Sequence, residues 1–414
     1  MSQLQPVRGT HDLLPDEMRR YRHVVDTARD AAECAGYLEI ETPIFEFSEV
    51  FKRTLGDTSD IVTKEMYTFT DRGGETITLR PENTASVARA FISEGLAQHT
   101  PLKYFYSGPM FRYERPQKGR LRQFHQTGVE LIGVADPLGD VEIIAVGVEF
   151  LHRLGVWDRC HLEINSLGDG ESRKVYRDVL VSYLSGHKDK LSKESLERLE
   201  RNPMRILDSK DDGDKAIVAN APVYSEHLNQ GSKDFFSRVL EGLEAIGIPH
   251  AVNPRLVRGL DYYCHTCFEI ISDDLGAQGT VMGGGRYDGL IGIMGGPETP
   301  GVGWASGVER CMMLLKDEPA ARRPIALVPI GDEAEREALI LANKIRRAGL
   351  PADLGYSGNM GKRMKRANKV KARVAVILGE TELAKHVAAV RDLDSGEQRE
   401  VPLETLIESL AQYQ

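Results

Sequence analysis

The sequence predicts an α+β domain built on an antiparallel sheet, interrupted by a helical insertion and followed by a small α/β domain. Three observations carry this prediction. Strand-like pieces recur among a few helices in the first part of the chain without the regular alternation of a doubly wound sheet; a charged, helix-prone stretch over residues 172–248 interrupts them; and beyond residue 324 apolar strands alternate with helices. At 414 residues the chain exceeds one ordinary core.

The elements follow in order. Met18, Tyr21, Val24, Val25, Ala28 and Ala32 recur at helical spacing over residues 17–35, and Gly36 is placed to end that helix. Tyr37 to Pro43 reads as a strand stopped by proline. Further strands are expected over Glu65–Thr70, Thr76–Leu79, Leu102–Met110 and Phe124–Ile132. Within the insertion, Asn202-Pro203 and Asp211-Asp212-Gly213-Asp214 break the helices. Strand and loop signals resume over Val252–Arg286, and a helix is expected from near Ser306. The divisions expected are 1–324, with 172–248 inserted, and 325–414. In the last of these, strands at Ile325–Ile330 and Val374–Gly379 flank a helix over Glu333–Ala348 and a basic segment.

Composition narrows the function. A net charge of -9 excludes a protein that coats nucleic acid indiscriminately, but it permits a local basic surface. Lys362, Arg363, Lys365, Arg366, Lys369, Lys371 and Arg373 form one, since no acid stands between Gly358 and Gly379; residues 362, 366, 369 and 373 would share a helix face. No apolar run approaches the roughly 18 residues of a membrane span, and residues 1–25 carry charges and no apolar core, so no membrane partner is expected and the location expected is cytoplasmic. Five scattered cysteines fit a reducing compartment. Cys264-x-x-Cys267 beside His265 is the one metal-like pattern, but a strand there would point the two thiols to opposite faces, so no metal site is assigned.

Three segments concentrate polar chemistry. Leu256 to Tyr263 and Gly283 to Gly289 each combine an arginine (Arg258, Arg286), glycine and tyrosine, supplying cationic and hydroxyl donors on backbone that a small ligand can approach. Phe111 to His125 reads as a hairpin whose loop carries Arg112, Arg115, Lys118, Arg120 and Arg122 against Glu114, which suits a polyphosphate, while Phe124 offers a face to a base. Pro300 to Arg310 reads as a glycine-rich loop entering a helix, with neither the Walker nor the dinucleotide spacing.

Taken in order, these segments resemble the class II aminoacyl-tRNA synthetases. Tyr37–Pro43 is similar to their first motif, which lies at a dimer interface; Phe111-Arg112-x-Glu114 to Glu130 is similar to the second; and Gly301–Arg310 to the third. Arg258–Tyr263, Gly283–Gly289 and the insertion's Asn202–Lys210 resemble segments of the histidyl-tRNA synthetase family. The resemblance spans essentially the whole chain. It implies a class II catalytic domain with a C-terminal anticodon-binding domain, acting as a homodimer. The implied enzyme is a ligase that joins L-histidine to tRNA(His) through histidyl-adenylate, with ATP as a substrate accompanied by Mg2+ and no permanently bound cofactor.

The resemblance also implies roles. Arg112 would hold the α-phosphate and Arg258 would bridge it to the histidine carboxylate, both as catalytic residues. Arg310 and Phe124 would sandwich adenine, with Arg120 a further phosphate ligand. Glu82 and Thr84 would take the α-amino group with Gln126 nearby, Glu130 and Tyr263 the two ring nitrogens, and Tyr287 a wall. Arg115 and Gln117 would meet the tRNA acceptor end, and Lys362, Arg363, Arg366 and Lys369 the anticodon arm. Asn83, Tyr113 and Cys264 depart from the usual family pattern and bear on fine selectivity only. Tyr262 receives no role. Competing readings are the histidine-binding regulatory paralogue of ATP phosphoribosyltransferase, another class II synthetase such as the prolyl or threonyl enzyme, and an RNA-sensing module.

Overall fold

The computed structural model describes residues 4–55, 61–117, 119–209, 211–258, 260 and 262–413. Lys118 and Lys210, named above, and Gly259 and Asp261 of the Leu256–Tyr263 segment lie outside the described residues. The chain divides into two compact units, Met1–Glu318 and Pro319–Gln414.

In the first unit α1 (Pro15–Cys34) begins where Pro15 sacrifices no helical hydrogen bond and Asp16 and Glu17 meet the positive helix end. It buries Val24, Val25, Ala28, Ala31 and Ala32. Gly36, at φ 81°, turns the chain out. The strand expected to Pro43 is only two residues, β1 (Leu38–Glu39), extended by one bond from Ile40 N–H to the Phe105 carbonyl. A small sheet follows from β2 (Phe45–Phe47), then, after α2 (Ser48–Leu55), from β3 (Tyr67–Thr70) and β4 (Thr76–Leu79), in the order β2-β4-β3. Glu65, expected in β3, instead closes a π-helical turn, Ile61–Glu65.

After α3 (Thr84–Ser93), β5 (Leu102–Phe111) and β6 (Gln123–Ile132) pair antiparallel over ten residues, and α4 (Leu138–Arg153) leads to β7 (His161–Ser166). The insertion supplies α5 (Gly170–Ser185), α6 (Lys193–Arg201), α7 (Asp212–Val218) and α8 (Gln230–Ala245). Asp169, Ser192, Asp211 and Asn229 cap them, each accepting a backbone N–H of the first turn. Asp214 ties its parts together. It accepts the Ser192, Ser195 and Ser209 hydroxyls at 2.7, 2.6 and 2.7 Å. Burial would raise its pKa, yet these donors and the Ser192 N–H hold the carboxyl down to about 2.

β8 (His250–Val252), β9 (Cys264–Ile271), β10 (Thr280–Arg286), α9 (Leu290–Ile293), β11 (Gly301–Gly307) and α10 (Val308–Leu314) complete the unit. The described residues form a sheet ordered β1-β5-β6-β11-β10-β9-β7-β8. Its interior pairs are antiparallel, and only the edge pairs β1/β5 and β7/β8 are parallel. The glycine-rich segment expected to be a loop is therefore β11, a central strand between β6 and β10.

Side chains alternate across this sheet and divide the core in two. Phe105, Val129, Phe268, Val302 and Trp304 pack with α1, α4 and α10 on one face; Tyr106, Met110, Tyr263 and Cys267 pack with α3 and α9 on the other. The helical stretch is not one block. Leu180, Leu199 and Ile217 of α5–α7 join the second cluster, whereas Val239 and Leu243 of α8 join the first, so α8 serves as a layer of the main sheet.

The second unit runs β12 (Ile325–Pro329), α11 (Asp332–Arg347), β13 (Ala352–Leu354), α12 (Met360–Lys369), β14 (Val374–Leu378), α13 (Glu380–Ala384), β15 (Val387–Asp392), β16 (Gln398–Pro402) and α14 (Leu406–Leu410). The order β13-β12-β14-β15-β16 has three parallel strands followed by two antiparallel ones.

Candidate active site

A cavity of about 290 Å³ opens on the second face of the main sheet, over β6, β11, β10 and β9. That volume suits a small-molecule site. Its shape follows from the register. Gly128, Ala305, Gly283 and Glu269 lie in one row across these four strands, and Glu130, Gly303, Gly285 and Cys267 in a row two residues along. The glycines are spaces for side chains. A Cβ on Gly283 would lie 2.5 Å from the Arg258 guanidinium, one on Gly303 1.9 Å from Glu130 Oε2, one on Gly285 2.9 Å from the Tyr263 ring and one on Gly301 2.2 Å from the Tyr287 ring.

One wall is cationic. Arg112 donates to the Pro81 carbonyl at 2.8 Å and holds its guanidinium 5.2 Å from the centre of the Phe124 ring. Arg310 donates to the carbonyls of Thr280 at 2.6 Å and Gly119 at 3.3 Å. Arg120 pairs with Glu114. Burial lowers the pKa of Arg310, and the charges of Arg120 and Arg112 lower it further. Three guanidiniums that repel one another in a half-buried cleft form a site for a multiply charged anion.

The same lining carries Arg258, paired with Glu269, whose second oxygen accepts the Thr280 hydroxyl at 2.9 Å. Burial opposes the Arg258 charge, but Glu269 outweighs it and the pKa is raised. Tyr263 lies beneath the guanidinium, 5.7 Å from ring centre to charge, and Tyr262 packs against it at 4.7 Å. Glu82 lines the cavity with its carboxylate accepting the N–H groups of Thr84 at 2.7 Å and Ala85 at 3.0 Å, at the start of α3; burial raises its pKa. Two polar atoms here have no partner among the described residues, Arg258 Nε and Gln126 Oε1. Unpaired buried polar atoms beside a cavity mark where a ligand would bond.

The expected imidazole ligands are arranged differently from their expectation. Arg112, Arg120, Phe124, Gln126, Glu82, Thr84, Arg258, Tyr263 and Arg310 line the cavity, but Glu130 and Tyr287 do not. They lie directly behind it, where Glu130 accepts the Thr84 hydroxyl at 2.7 Å and the Tyr287 hydroxyl at 2.5 Å. Burial pushes the Glu130 carboxyl up to about 8. Tyr262, given no role by sequence, takes a place in the wall. Glu269 and Glu309 were also missed. Glu309 accepts the His125 backbone N–H at 3.0 Å and meets its ring at 2.8 Å, joining β6 to α10 beside Phe124 and Arg310. A clue to Glu269 existed: it is the single acid in the otherwise uncharged run Cys264–Ile271.

Arg286 is a correction. It was grouped with Arg258 as a cationic donor to a pocket, but it is fully buried behind the cavity and pairs with Asp140. Cys264 and Cys267 do not converge either, since the Cys264 sulfur accepts the Asp288 N–H and Cys267 faces the Leu256 carbonyl. Burial pushes both thiols up to about 12.

Of the expected tRNA ligands, Arg115 and Gln117 are exposed on the β5–β6 loop, where Gln117 and Arg120 exchange backbone hydrogen bonds at 3.1 and 2.9 Å. In the second unit Lys362, Arg366 and Lys369 are exposed on α12. Arg363 is a second correction: it points inward, pairs with Glu335 and donates to the Pro329 carbonyl, so it is a structural arginine. Arg366 is held by Asp353 at 2.7 and 2.8 Å and stacks on Tyr356. Arg373 lies beyond the end of α12, and its guanidinium pairs with Asp392 and Asp394.

The family model for histidyl-tRNA synthetase matches residues 9–311, and one for an anticodon-binding domain matches residues 325–413. A histidine–tRNA ligase of Rhodospirillum rubrum is 65% identical over 414 residues, covering all of both chains. One of Gluconacetobacter diazotrophicus is 54% identical over 99% of each. Among solved structures, an apo S. aureus histidyl-tRNA synthetase is 34% identical with a TM-score of 0.83, over 98% of this chain and 99% of that one. On these matches the chain belongs to the histidyl-tRNA synthetase family, with a class II catalytic unit followed by an anticodon-binding domain.

Proposed function

We propose that the chain ligates L-histidine to tRNA(His). In the first step a histidine carboxylate oxygen attacks the α-phosphorus of ATP, the bond to the bridging β-phosphate oxygen breaks, and pyrophosphate leaves. In the second, a ribose hydroxyl of the tRNA terminus attacks the acyl carbon and AMP leaves. The single observation that carries the reading is one cavity lined by Arg112, Arg120 and Arg310 together with Arg258 and buried tyrosines. In-line phosphoryl chemistry needs charge neutralisation and positioning above all.

Arg112 is assigned to the α-phosphate, and Arg258 to the attacking carboxylate and that phosphate together. Glu269 leaves other N–H groups of Arg258 for this purpose. Phe124 and Arg310 enclose the adenine, with Arg120 toward the terminal phosphates. ATP enters as its magnesium complex, in which phosphate oxygens and water hold most of the ion. Glu82, Thr84 and Gln126 receive the amino group. Tyr263 is assigned to the ring from the cavity wall and Glu130 from directly behind it, where each of its oxygens has lone-pair capacity beyond the hydroxyl it already accepts. A pocket built to pair an imidazole rejects analogues that leave those groups unpaired.

Arg115 and Gln117 are assigned to the acceptor end, and Lys362, Arg366 and Lys369 to the anticodon arm. The exposed phenylalanines Phe45, Phe47 and Phe69 on the three-stranded sheet support a homodimer. The tRNA and ATP substrates suit a cytoplasmic enzyme. A regulatory histidine-binding role is disfavoured by the intact set of arginines and the second unit. ATP–pyrophosphate exchange with each amino acid tests the proposal. Exchange with histidine alone is expected; none, or faster exchange with proline, overturns it.

A further inference from the structure

Arg286 is as buried as any side chain in the molecule, yet it lies outside the cavity and its donors are all engaged within the protein. Nε donates to both Asp140 oxygens at 3.2 and 3.0 Å. Nη1 donates to the Val134 carbonyl at 2.8 Å and to Asp288 Oδ1 at 3.1 Å. Nη2 reaches the Asp136 carbonyl at 3.4 Å and Asp140. Buried charge of this kind is costly and has hydrophobic alternatives, so its geometry is the informative part.

The geometry joins two strand ends and the start of a helix. Val134 and Asp136 follow β6, the strand of Gln126 and Glu130; Arg286 ends β10 and immediately precedes Tyr287; Asp140 belongs to the first turn of α4. Asp288 extends the network. Its Oδ1 also accepts the Gly301 N–H at 3.2 Å, while its own N–H donates to Cys264 Sγ at 3.4 Å, at the start of β9 and next to Tyr263. Between them the Tyr287 N–H donates to the Gly301 carbonyl at 2.7 Å. Tyr287 is thus bracketed on both sides, with its hydroxyl on Glu130. On β9 the pairing slips where Arg286 meets Cys264, and His265 takes a left-handed φ of 45°. A bulge of this sort re-aims the side chains beside it.

We propose that Arg286 and Asp288 are positioning residues for recognition of the substrate side chain, fixing Tyr287, Glu130 and Tyr263 relative to one another from behind the cavity. This rests on the reading of Glu130 and Tyr263 as the imidazole ligands. Asp288 is the better residue to test, because Asp288→Asn leaves the Arg286–Asp140 pair intact and the side chain is partly exposed.

In ATP–pyrophosphate exchange with the full chain, Asp288→Asn is expected to raise KM for histidine on the order of tenfold, with kcat within about twofold and KM for ATP unchanged. Combined with Tyr287→Phe, the two effects on histidine KM should fall short of their product, because the residues act through one network. An unchanged histidine KM in Asp288→Asn, a parallel rise for ATP, or effects that multiply would each overturn the proposal. Tyr287→Phe separates the possible failures. If it raises histidine KM and Asp288→Asn does not, the network fails alone; if Tyr287→Phe changes nothing, the pocket reading fails and takes the network with it.

Discussion

Arg258 and Arg286 arise from matching segments, each an arginine close to a glycine and a tyrosine, and fold to opposite ends of use. Among the described residues, Arg258 has one carboxylate partner, an unpaired Nε and a place in the cavity wall. Arg286 has two carboxylates, two carbonyls and no exposure. The difference teaches that an arginine's availability to a ligand is set by how many of its donors the fold has already satisfied, a quantity that local sequence does not carry.

The largest expected effect tests that contrast directly. Arg258→Ala should lower kcat/KM for adenylation by about 10² to 10³, the range for removing a fixed donor to developing charge, with little change in Tm. Arg286→Ala should instead destabilise the fold by about 3 to 5 kcal/mol, because Asp140 would remain buried and unpaired. Thermal unfolding and exchange kinetics on both variants check this, and equal losses of Tm would erase the distinction.

A middle-sized effect concerns Glu130, on the Arg286 side of the comparison. Its pKa in the folded chain is raised from 4.5 to about 8, so the native state binds more protons than the unfolded state between those values. The sign follows: its contribution is fully favourable below about pH 4.5 and is lost as pH rises through about 8. Glu130→Gln removes that dependence. The Tm of the variant relative to the parent should climb between pH 5 and pH 8, as measured by unfolding across the pH range, and a flat difference would mean that Glu130 is ionised in the native state.

The smallest effect repeats the contrast in the second unit, between exposed Lys362 and Lys369 and inward Arg363. Replacing the two lysines with alanine should weaken tRNA binding a few-fold and reduce its salt slope by about one per lost phosphate contact. Arg363→Ala should cost stability while leaving that slope unchanged. Binding titrations at several salt concentrations separate the two.

Much of this was legible in the residues. The apolar spacing from Met18 to Ala32 and Gly36 bound α1 closely, and the antiparallel β5–β6 hairpin with its basic loop stands where alternation placed it. Nine cavity residues were named through the resemblance to the synthetase family. The failures share a cause. β11 was read as a loop because glycine weakens strand signals, whereas here the missing side chains make room for partners on other strands. Arg363 looked like its neighbours because a charge run does not reveal which residue turns inward to meet Glu335. α8 has the charged character of the insertion, but its packing is decided by Val239 and Leu243 against a sheet whose strands come from distant parts of the chain.

The glycines beneath the site also constrain how such an enzyme changes over generations. Gly283 lies where a methyl would strike Arg258, Gly303 where it would strike Glu130, and Gly301 where it would strike Tyr287. At Gly283 and Gly301 an enlarging mutation is harmful unless the facing side chain shrinks at the same time, and a shrunken side chain alone leaves a hole; at Gly303 the Val129 carbonyl, 2.5 Å from the added carbon, bars it even then. Paths to a new specificity therefore cross a valley at each pair, so the small residues preserve the choice of substrate by making its alternatives two steps away.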